Sequence, residues 1–476
     1  MERWRKLLKT IQSSRRGSPE DYELLVPDSE VGLHLHRKPR RACLSTCWQL
    51  RVLTFRRLLL AFSLIPVFAV MALLWSGIPP NYDDIRQFER QLPQHNLSLP
   101  APEGKSGAYL RFPDHLWGHG LNNVLQEIIL MSHLAHLVNR SYVFEDYTWS
   151  HLPLPYTIYD FALRPTKIPL NAFISGPSAG GPMPVPRAVN VEYWNRVCHR
   201  ENTAIISSQY VPIDADGSEL IGWWVDQLSV VQANCVQIDS AKKPVFDKYL
   251  FGSKRLLSLW PSLSASPVLA NYTWSPLVHS AVSRNFALLQ LSVADLADAQ
   301  QTTAEPSLSG LVAVHIRRGD YKRHCPRLAT WGALYMGFNE FAELPDRFDP
   351  QPYTDAGERL EYYLRHCLPE VEQIVERLHT LRDEHPDLKR VYVLNNAWGW
   401  WLDGLESALK KDGWEDVVGS AGLTLDAEQK YVAMAVDMAI AEKAEVFVGN
   451  GFSSLTSNIV MLRLAKGMDP RSNRFL

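Results

Sequence analysis

The sequence predicts an α/β protein in which two Rossmann-like domains face a cleft and one transmembrane helix precedes them. Three observations predict it. Apolar runs of strand length, such as Leu311-Val-Ala-Val-His-Ile316 and Glu445-Val-Phe-Val448, alternate with segments of helical periodicity, as parallel sheets require. The alternation occurs in two separate regions, one near the start of the main body and one from 311 onward. Leu58 to Tyr82 carries no charged side chain, and Leu58 to Trp75 is almost wholly apolar, which suffices to cross a bilayer.

The transmembrane helix is placed at 58–78. Arg51, Arg56 and Arg57 precede the run and Asp83 and Asp84 follow it, so the positive flank puts the N-terminus in the cytosol. A cleaved signal peptide is not expected, because 57 residues precede the run and no small-x-small cleavage site follows closely. Pro66 inside the run is compatible with a membrane helix. Residues 1–57 form a basic tail with 13 Lys and Arg against 6 Asp and Glu. The rest of the chain has 36 basic and 45 acidic residues, an imbalance that argues against a nucleic-acid-binding body. The 15 Trp and 18 Tyr are more than a disordered chain would carry. Sequons at Asn96, Asn139 and Asn271, and four of the six cysteines (Cys198, Cys235, Cys325, Cys367), all follow the span. There glycosylation and disulfides are permitted, and four cysteines allow three pairings. Cys43 and Cys47 lie near the cytosolic face and are either palmitoylated or free thiols.

Residues 79–106, rich in Pro, Asn and Gln, read as a stem. An N-terminal Rossmann-like domain is expected over 107–305 and a C-terminal, nucleotide-binding one over 306–476, with Gln300–Ser309 as the linker. In the first, Tyr109–Phe112 is a strand, Val124 to Val138 a helix and Tyr142–Phe144 the next strand. In the second, Leu360–Leu381, Glu428–Lys443 and Ser454–Lys466 are helices, and Arg390–Leu394 and Glu445–Val448 are strands.

Three loops, each after a strand, suit an anion. Gly118-His-Gly-Leu-Asn-Asn123 places glycines before a helix, whose N-terminus offers free N–H groups and a positive dipole end. As a dinucleotide fingerprint it is weak, since Asn123 replaces the last glycine; a tight turn is the simpler alternative. His315-Ile-Arg-Arg-Gly-Asp320 follows a buried strand and supplies arginines able to hold a diphosphate bidentately; a structural pair with Asp320 competes. Val448-Gly-Asn-Gly-Phe-Ser-Ser-Leu-Thr456 puts Ser453 and Ser454 at a helix entrance, to hold phosphate or merely to cap. Together they are what two Rossmann-like domains gripping a nucleotide diphosphate would show.

These three blocks resemble the GDP-fucose-dependent O-fucosyltransferase superfamily, which spans protein O-fucosyltransferases and α-1,6-fucosyltransferases. Leu137-Val-Asn-Arg-Ser-Tyr-Val143 after the first loop, and Ala435-Val-Asp437 before the last block, fit the same pattern. The likeness covers the opening strand–helix–strand unit and most of 310–466. It implies a GT-B-like fold and inverting, metal-independent transfer of fucose from GDP-fucose, with no further cofactor; a body in the lumen makes a secretory-pathway protein or glycan the expected acceptor. It implies that Arg317 holds the diphosphate and assists departure of GDP, that Ser453 and Ser454 bind phosphate, and that Asn123 lies beside the sugar. Asp437 would support the nucleotide pocket. Gly118, His119, Gly120, Asn122 and His315, as members of the same blocks, complete the expected nucleotide-sugar site. Val124 departs from the pattern, where relatives often have Gln. The general base stays open among Glu127, Glu145, Asp146 and His119. A tail, one span and a stem are the layout of Golgi glycosyltransferases, with the endoplasmic reticulum as the alternative.

Two other readings compete. One is a non-catalytic GDP-sugar-binding or lectin-like membrane protein, since fold does not fix activity. The other is a metal-dependent GT-A glycosyltransferase using Asp214-Ala-Asp216, which reads more simply as a turn. The helical pairs His115/His119 and His133/His136 lack converging ligands for zinc.

Overall fold

The computed structural model describes residues 57–476 apart from 58, 61, 73, 74, 77, 114–119, 160, 161, 290–307, 351 and 352. The basic tail with Cys43 and Cys47, the loop residues Gly118 and His119, and most of the predicted linker therefore lie outside the described residues. The chain divides into two units, Met1–Leu74 and Trp75–Leu476. In the first, residues 62–72 are helical, with Phe62, Leu64, Ile65, Val67, Phe68, Val70 and Met71 all exposed. Among the described residues no helix is long and apolar enough to cross a membrane; the predicted span at 58–78 is interrupted by undescribed positions.

The second unit holds two five-stranded sheets, both wholly parallel. The first runs in the order β7-β2-β1-β9-β8, built from β1 (Tyr109–Arg111), β2 (Ser141–Phe144), β7 (Val189–Asn190), β8 (Thr203–Ser207) and β9 (Cys235–Asp239). The second runs β12-β11-β10-β13-β14, from β10 (Leu308–Ile316), β11 (Arg390–Asn395), β12 (Asp416–Gly419), β13 (Ala444–Gly449) and β14 (Asn473–Phe475). Val312, Ala313 and Val314 are fully buried, as expected of a central strand covered on both faces. The small pairs β3 (Tyr147–Thr148) with β6 (Lys167–Ile168) and β4 (Tyr156–Tyr159) with β5 (Ala162–Pro165) are antiparallel.

The helix after β1 is Leu121–Leu137, here α2; it follows α1 (Asp83–Arg90). It is apolar on nearly every face and buried from Leu121 to Ala135 except at Asn123, so it is a central helix. Asn139 ends it in the left-handed region at φ 53°. One continuous apolar cluster joins this helix to those of the second sheet, through Val124, Leu125, Ile459 and Val460.

Three expectations are corrected. The predicted helix Leu360–Leu381 is two, α5 (Ala356–Cys367) and α6 (Val371–Glu384). Pro369 forces Leu368 out of helical geometry, and Glu370 caps the second helix with Gln373. The helix expected from Glu428 begins at Ala433, after a short turn over Gln429–Tyr431. Residues 79–106, expected as a stem, pack into the unit: Tyr82 is buried with its hydroxyl donated to the Glu428 carbonyl, and Glu103 takes a bidentate bond from Arg187. The cysteines pair as Cys198–Cys235 and Cys325–Cys367. The first disulfide ties β9 to the end of a short helix, and the second ties α4 (Tyr321–Trp331) to α5.

Candidate functional site

The C-terminal ends of β10 and β13 deliver two of the three anion-suited loops to one cleft, and the entrance of α2 meets them from the other sheet. The cleft has two lobes. The larger, about 550 Å³, is lined by Gly120, Asn122, Asn123, Arg317, Ser453 and Ser454, with Tyr321, Arg323, His324, Arg327, Met434 and Phe452 among its other walls. The smaller, about 290 Å³, is lined by His315, Arg317, Asn395, Asn396, Lys430, Tyr431, Met434 and Asp437. Arg317 and Met434 belong to both. All eight described residues expected at the site thus border one continuous cleft. A separate cavity of about 460 Å³, at Arg365, His366 and Arg377, contains none of them.

The two neighbouring arginines have different fates. Arg318 is buried, stacks 4.6 Å from the Trp401 ring and donates to the Leu368 and Pro369 carbonyls and to Glu370. It is a structural tie. Arg317 faces the cleft. Its Nη2 donates to Asp320 Oδ2 at 2.6 Å and its guanidinium lies 4.8 Å from the Tyr321 ring centroid. Its Nε is buried without an acceptor, a rare condition for a buried donor. Both readings of the motif thus hold for one side chain: a pair with Asp320 on one edge and an unspent donor on the other. Burial works against the Asp320 charge, but Arg317 and the Asn396 amide outweigh it and hold its carboxyl below the ordinary value.

The third loop explains its glycines. A Cβ on Gly449 would fall 2.1 Å from Thr456 Cγ2, and one on Gly451 would strike the Tyr335 ring at 2.4 Å. The turn therefore closes tightly enough to set Ser453 and Ser454 at the start of α9 (Ser454–Ala465), after α8 (Ala433–Lys443) and β13. The first N–H groups of that helix have no intrahelical acceptor and suit an anion. Gly120, at the entrance of α2, has open space where a Cβ would point, so its backbone is approachable from the lobe. His315 is fully buried with Nδ1 2.9 Å from Thr456 Oγ1. Loss of solvent, helped by Arg317, pulls its pKa down to about 3, so it is a neutral partner rather than a cation.

Two expected ligand residues are partly committed elsewhere. Asn122 accepts from Asn458 Nδ2 at its carbonyl and its amide oxygen, and donates to Met434 Sδ. It joins α2 to α9 and α8, and Gln126 joins α2 to α9 through Ser457. Asp437 accepts from the Tyr392 hydroxyl at 2.6 Å and from Ser420 Oγ at 2.9 Å. It retains partial exposure in the smaller lobe, yet loss of solvent pushes its pKa up to about 6.

Asp437 yields a prediction whose sign is fixed. A carboxyl raised in the folded state stabilises below its unfolded pKa, and that contribution is lost as pH rises through about 6. Asp437→Asn should therefore be more stable relative to wild type at pH 7.5 than at pH 4, by on the order of 2 kcal/mol after allowance for its exposure. Urea midpoints at the two pH values measure this; a pH-independent difference would refute it.

The remaining polar candidates resolve locally. Glu145 pairs with Arg111 and Asp146 with Arg86, while buried Glu127 meets them only at a cavity of about 30 Å³. Asp216 caps α3 (Gly217–Ser229) in a box with Glu219, and Asp214 sits in a left-handed turn at φ 63°. His133 is a buried histidine 2.9 Å from Ser262 Oγ, held neutral by burial. Among the described residues, no His, Cys, Asp and Glu cluster suited to a metal ion occurs. Tyr392, Ser420 and Asn396 were not singled out from the sequence. They lie 45, 17 and 76 residues from their partners, and no local pattern marks them. For Arg323, His324 and Arg327, by contrast, the basic run after Asp320 is a visible signal in the sequence.

No protein-family model matches the sequence, and no curated protein does. Among solved structures, the chain is similar to POFUT1 in complex with GDP-fucose (15% identity, 78% of this chain and 98% of that one, TM-score 0.44). It is similar to the fucosyltransferase NodZ from Bradyrhizobium (10% identity, 74% and 92%, TM-score 0.36). A third likeness is to Arabidopsis thaliana FUT1 in complex with GDP (10% identity, 81% and 74%, TM-score 0.34).

Proposed function

We propose that this chain is an inverting fucosyltransferase that uses GDP-fucose, anchored by one transmembrane helix with its α/β unit in the lumen of the Golgi or endoplasmic reticulum. The observation that carries the reading is the convergence of three strand-end loops on Arg317, whose Nε is buried without an acceptor. The diphosphate lies between Arg317 and the N-terminus of α9 with Ser453 and Ser454. The nucleoside extends into the smaller lobe past His315 toward Asp437, and the sugar sits near Asn123. An acceptor hydroxyl attacks the anomeric carbon through its oxygen as that carbon's bond to the β-phosphate oxygen breaks, and the hydroxyl proton passes to water. The electron pair goes to the diphosphate, where Arg317 and the helix N–H groups meet the growing charge. The resemblance of the three loop motifs narrows the nucleotide sugar to GDP-fucose.

Three observations support the lumenal placement. Residues 62–72 form a helix exposing apolar side chains on every face, which only a nonpolar medium or a partner satisfies. Both cysteine pairs are oxidised, the norm outside the cytosol. Asn96, Asn139 and Asn271 are all exposed.

The test uses the full chain in detergent micelles. GDP and GDP-fucose, but not UDP, should raise its melting temperature, by about 2.7 kcal/mol of added stability at 100 times Kd. GDP-fucose consumption should continue in EDTA. Strict Mn²⁺ dependence would sink the mechanism, and binding without turnover would favour the receptor alternative.

A further inference from the structure

Past Arg317, the larger lobe is walled by Arg323, His324 and Arg327. Arg323 and Arg327 are exposed and make no ion pair among the described residues. The one carboxylate lining the lobe, Asp320, is already paired with Arg317. The lobe therefore keeps a surplus of positive charge in a body that has 36 basic and 45 acidic residues after the tail. Arg323, Arg327 and Trp331 recur at four-residue intervals, so they share one face of α4 and span about 12 Å. Trp331 is the last residue of that helix, is 66% exposed, and is followed by Gly332 in the left-handed region. The His324 ring lies 5.3 Å from that of Tyr321 and 6.5 Å from that of Trp331, joining the inner and outer ends of the stripe. The helix is fixed in place. Cys325 is disulfide-bonded to Cys367 and the Tyr321 hydroxyl donates to the Phe452 carbonyl.

We infer that this stripe is the acceptor subsite and that it takes an anionic saccharide. Carboxylate or sulfate groups on the sugar chain pair with Arg323 and Arg327, and a pyranose face lies on the Trp331 indole. The inference rests on reading the adjoining Arg317–Ser453–Ser454 site as the donor site, because the saccharide then lies beside the bond that breaks. A saccharide fits better than an acidic peptide. The lining residues stand on helices and loops, and none belongs to a strand, so an extended peptide finds no edge to join.

The experiment titrates the full chain in micelles with a fluorescent glucuronate-containing tetrasaccharide, its neutral glucose counterpart and an acidic peptide of matched charge, all without nucleotide. GDP binding is measured separately. The charged saccharide should bind about tenfold tighter than the neutral one, with the preference weakening in salt. R323S/R327S should lose the preference while losing less than tenfold in GDP affinity, and W331A should weaken both saccharides and bind GDP as wild type does. Equal affinity for the two saccharides, a preference that survives R323S/R327S, or tighter binding of the peptide overturns the inference. So does a tenfold loss of GDP affinity in R323S/R327S, which would assign those cations to the diphosphate. If wild type fails to bind GDP, the donor reading falls, while the saccharide titration still decides whether the stripe holds an anionic sugar.

Discussion

On the proposed donor reading, Arg317→Ala is expected to lower turnover of GDP-fucose by on the order of 10²–10³, the usual loss when one preorganised donor to a developing negative charge is removed. The guanidinium is placed for this at three points: the 2.6 Å bond to Asp320, the Tyr321 ring at 4.8 Å, and β10, whose end carries it. Its Nε has no acceptor until a ligand supplies one. The fold should survive, because the side chain is 26% exposed and its ion pair is local, where such pairs contribute little. Arg317→Lys should fall between Ala and wild type, since an ammonium keeps the charge but loses the planar fork and the ring contact. Steady-state rates beside melting curves distinguish the cases. Turnover within threefold of wild type, in a protein of unchanged stability, would remove Arg317 from its role. Arg318→Ala should do the reverse, harming stability through Pro369, Glu370 and Trp401.

That contrast marks where the sequence is legible. The β10 and β13 runs, the α2 and α9 helices and the loops between them were readable because apolar periodicity and glycine placement are local. Which of two adjacent arginines turns toward the cleft is not local. It depends on Pro369 and Trp401, brought close by a chain reversal that no pattern near 317 records. The same holds for Asp437, whose partners Tyr392 and Ser420 come from β11 and the turn after β12. Residues 150–305 were opaque because their elements, described as far as Leu289, are mostly short and held from far away. The buried Trp274 indole, for instance, donates to Glu442, 168 positions on. Residues 79–106 misled for a related reason: their Pro, Asn and Gln content suits a stem, but Tyr82, Leu92 and Gln94 are buried by distant residues. Tyr335 and Phe348 pack with Phe452 and Phe475, while Trp331 and Leu334 are exposed.

Arg463→Met is the change expected to cost the most stability. An arginine in the last turn of a helix usually meets the negative end of the dipole from the solvent side. Instead Arg463 is fully buried and donates to the carbonyls of Ala441, Glu442, Ala444, Glu445 and Ser472, to Ser472 Oγ and to Asn473 Oδ1. One guanidinium thus ties the end of α8, the start of β13 and the start of β14 to the helix that presents Ser453 and Ser454. Loss of solvent pulls its pKa down to about 9, with Glu442 opposing the shift, so it stays charged at neutral pH. Methionine matches the stem but leaves those acceptors buried without donors. The cost should be about 3–5 kcal/mol, the range for losing one member of a buried charged network. Arg463→Lys should recover part of it, because three donors cannot reach every acceptor. Urea unfolding of the three proteins measures the differences, and GDP affinity per folded molecule separates stability from site damage. A Met variant within 1 kcal/mol of wild type would mean that water reaches those carbonyls, and that the strand ends, rather than the arginine, hold α9 in register with the cleft.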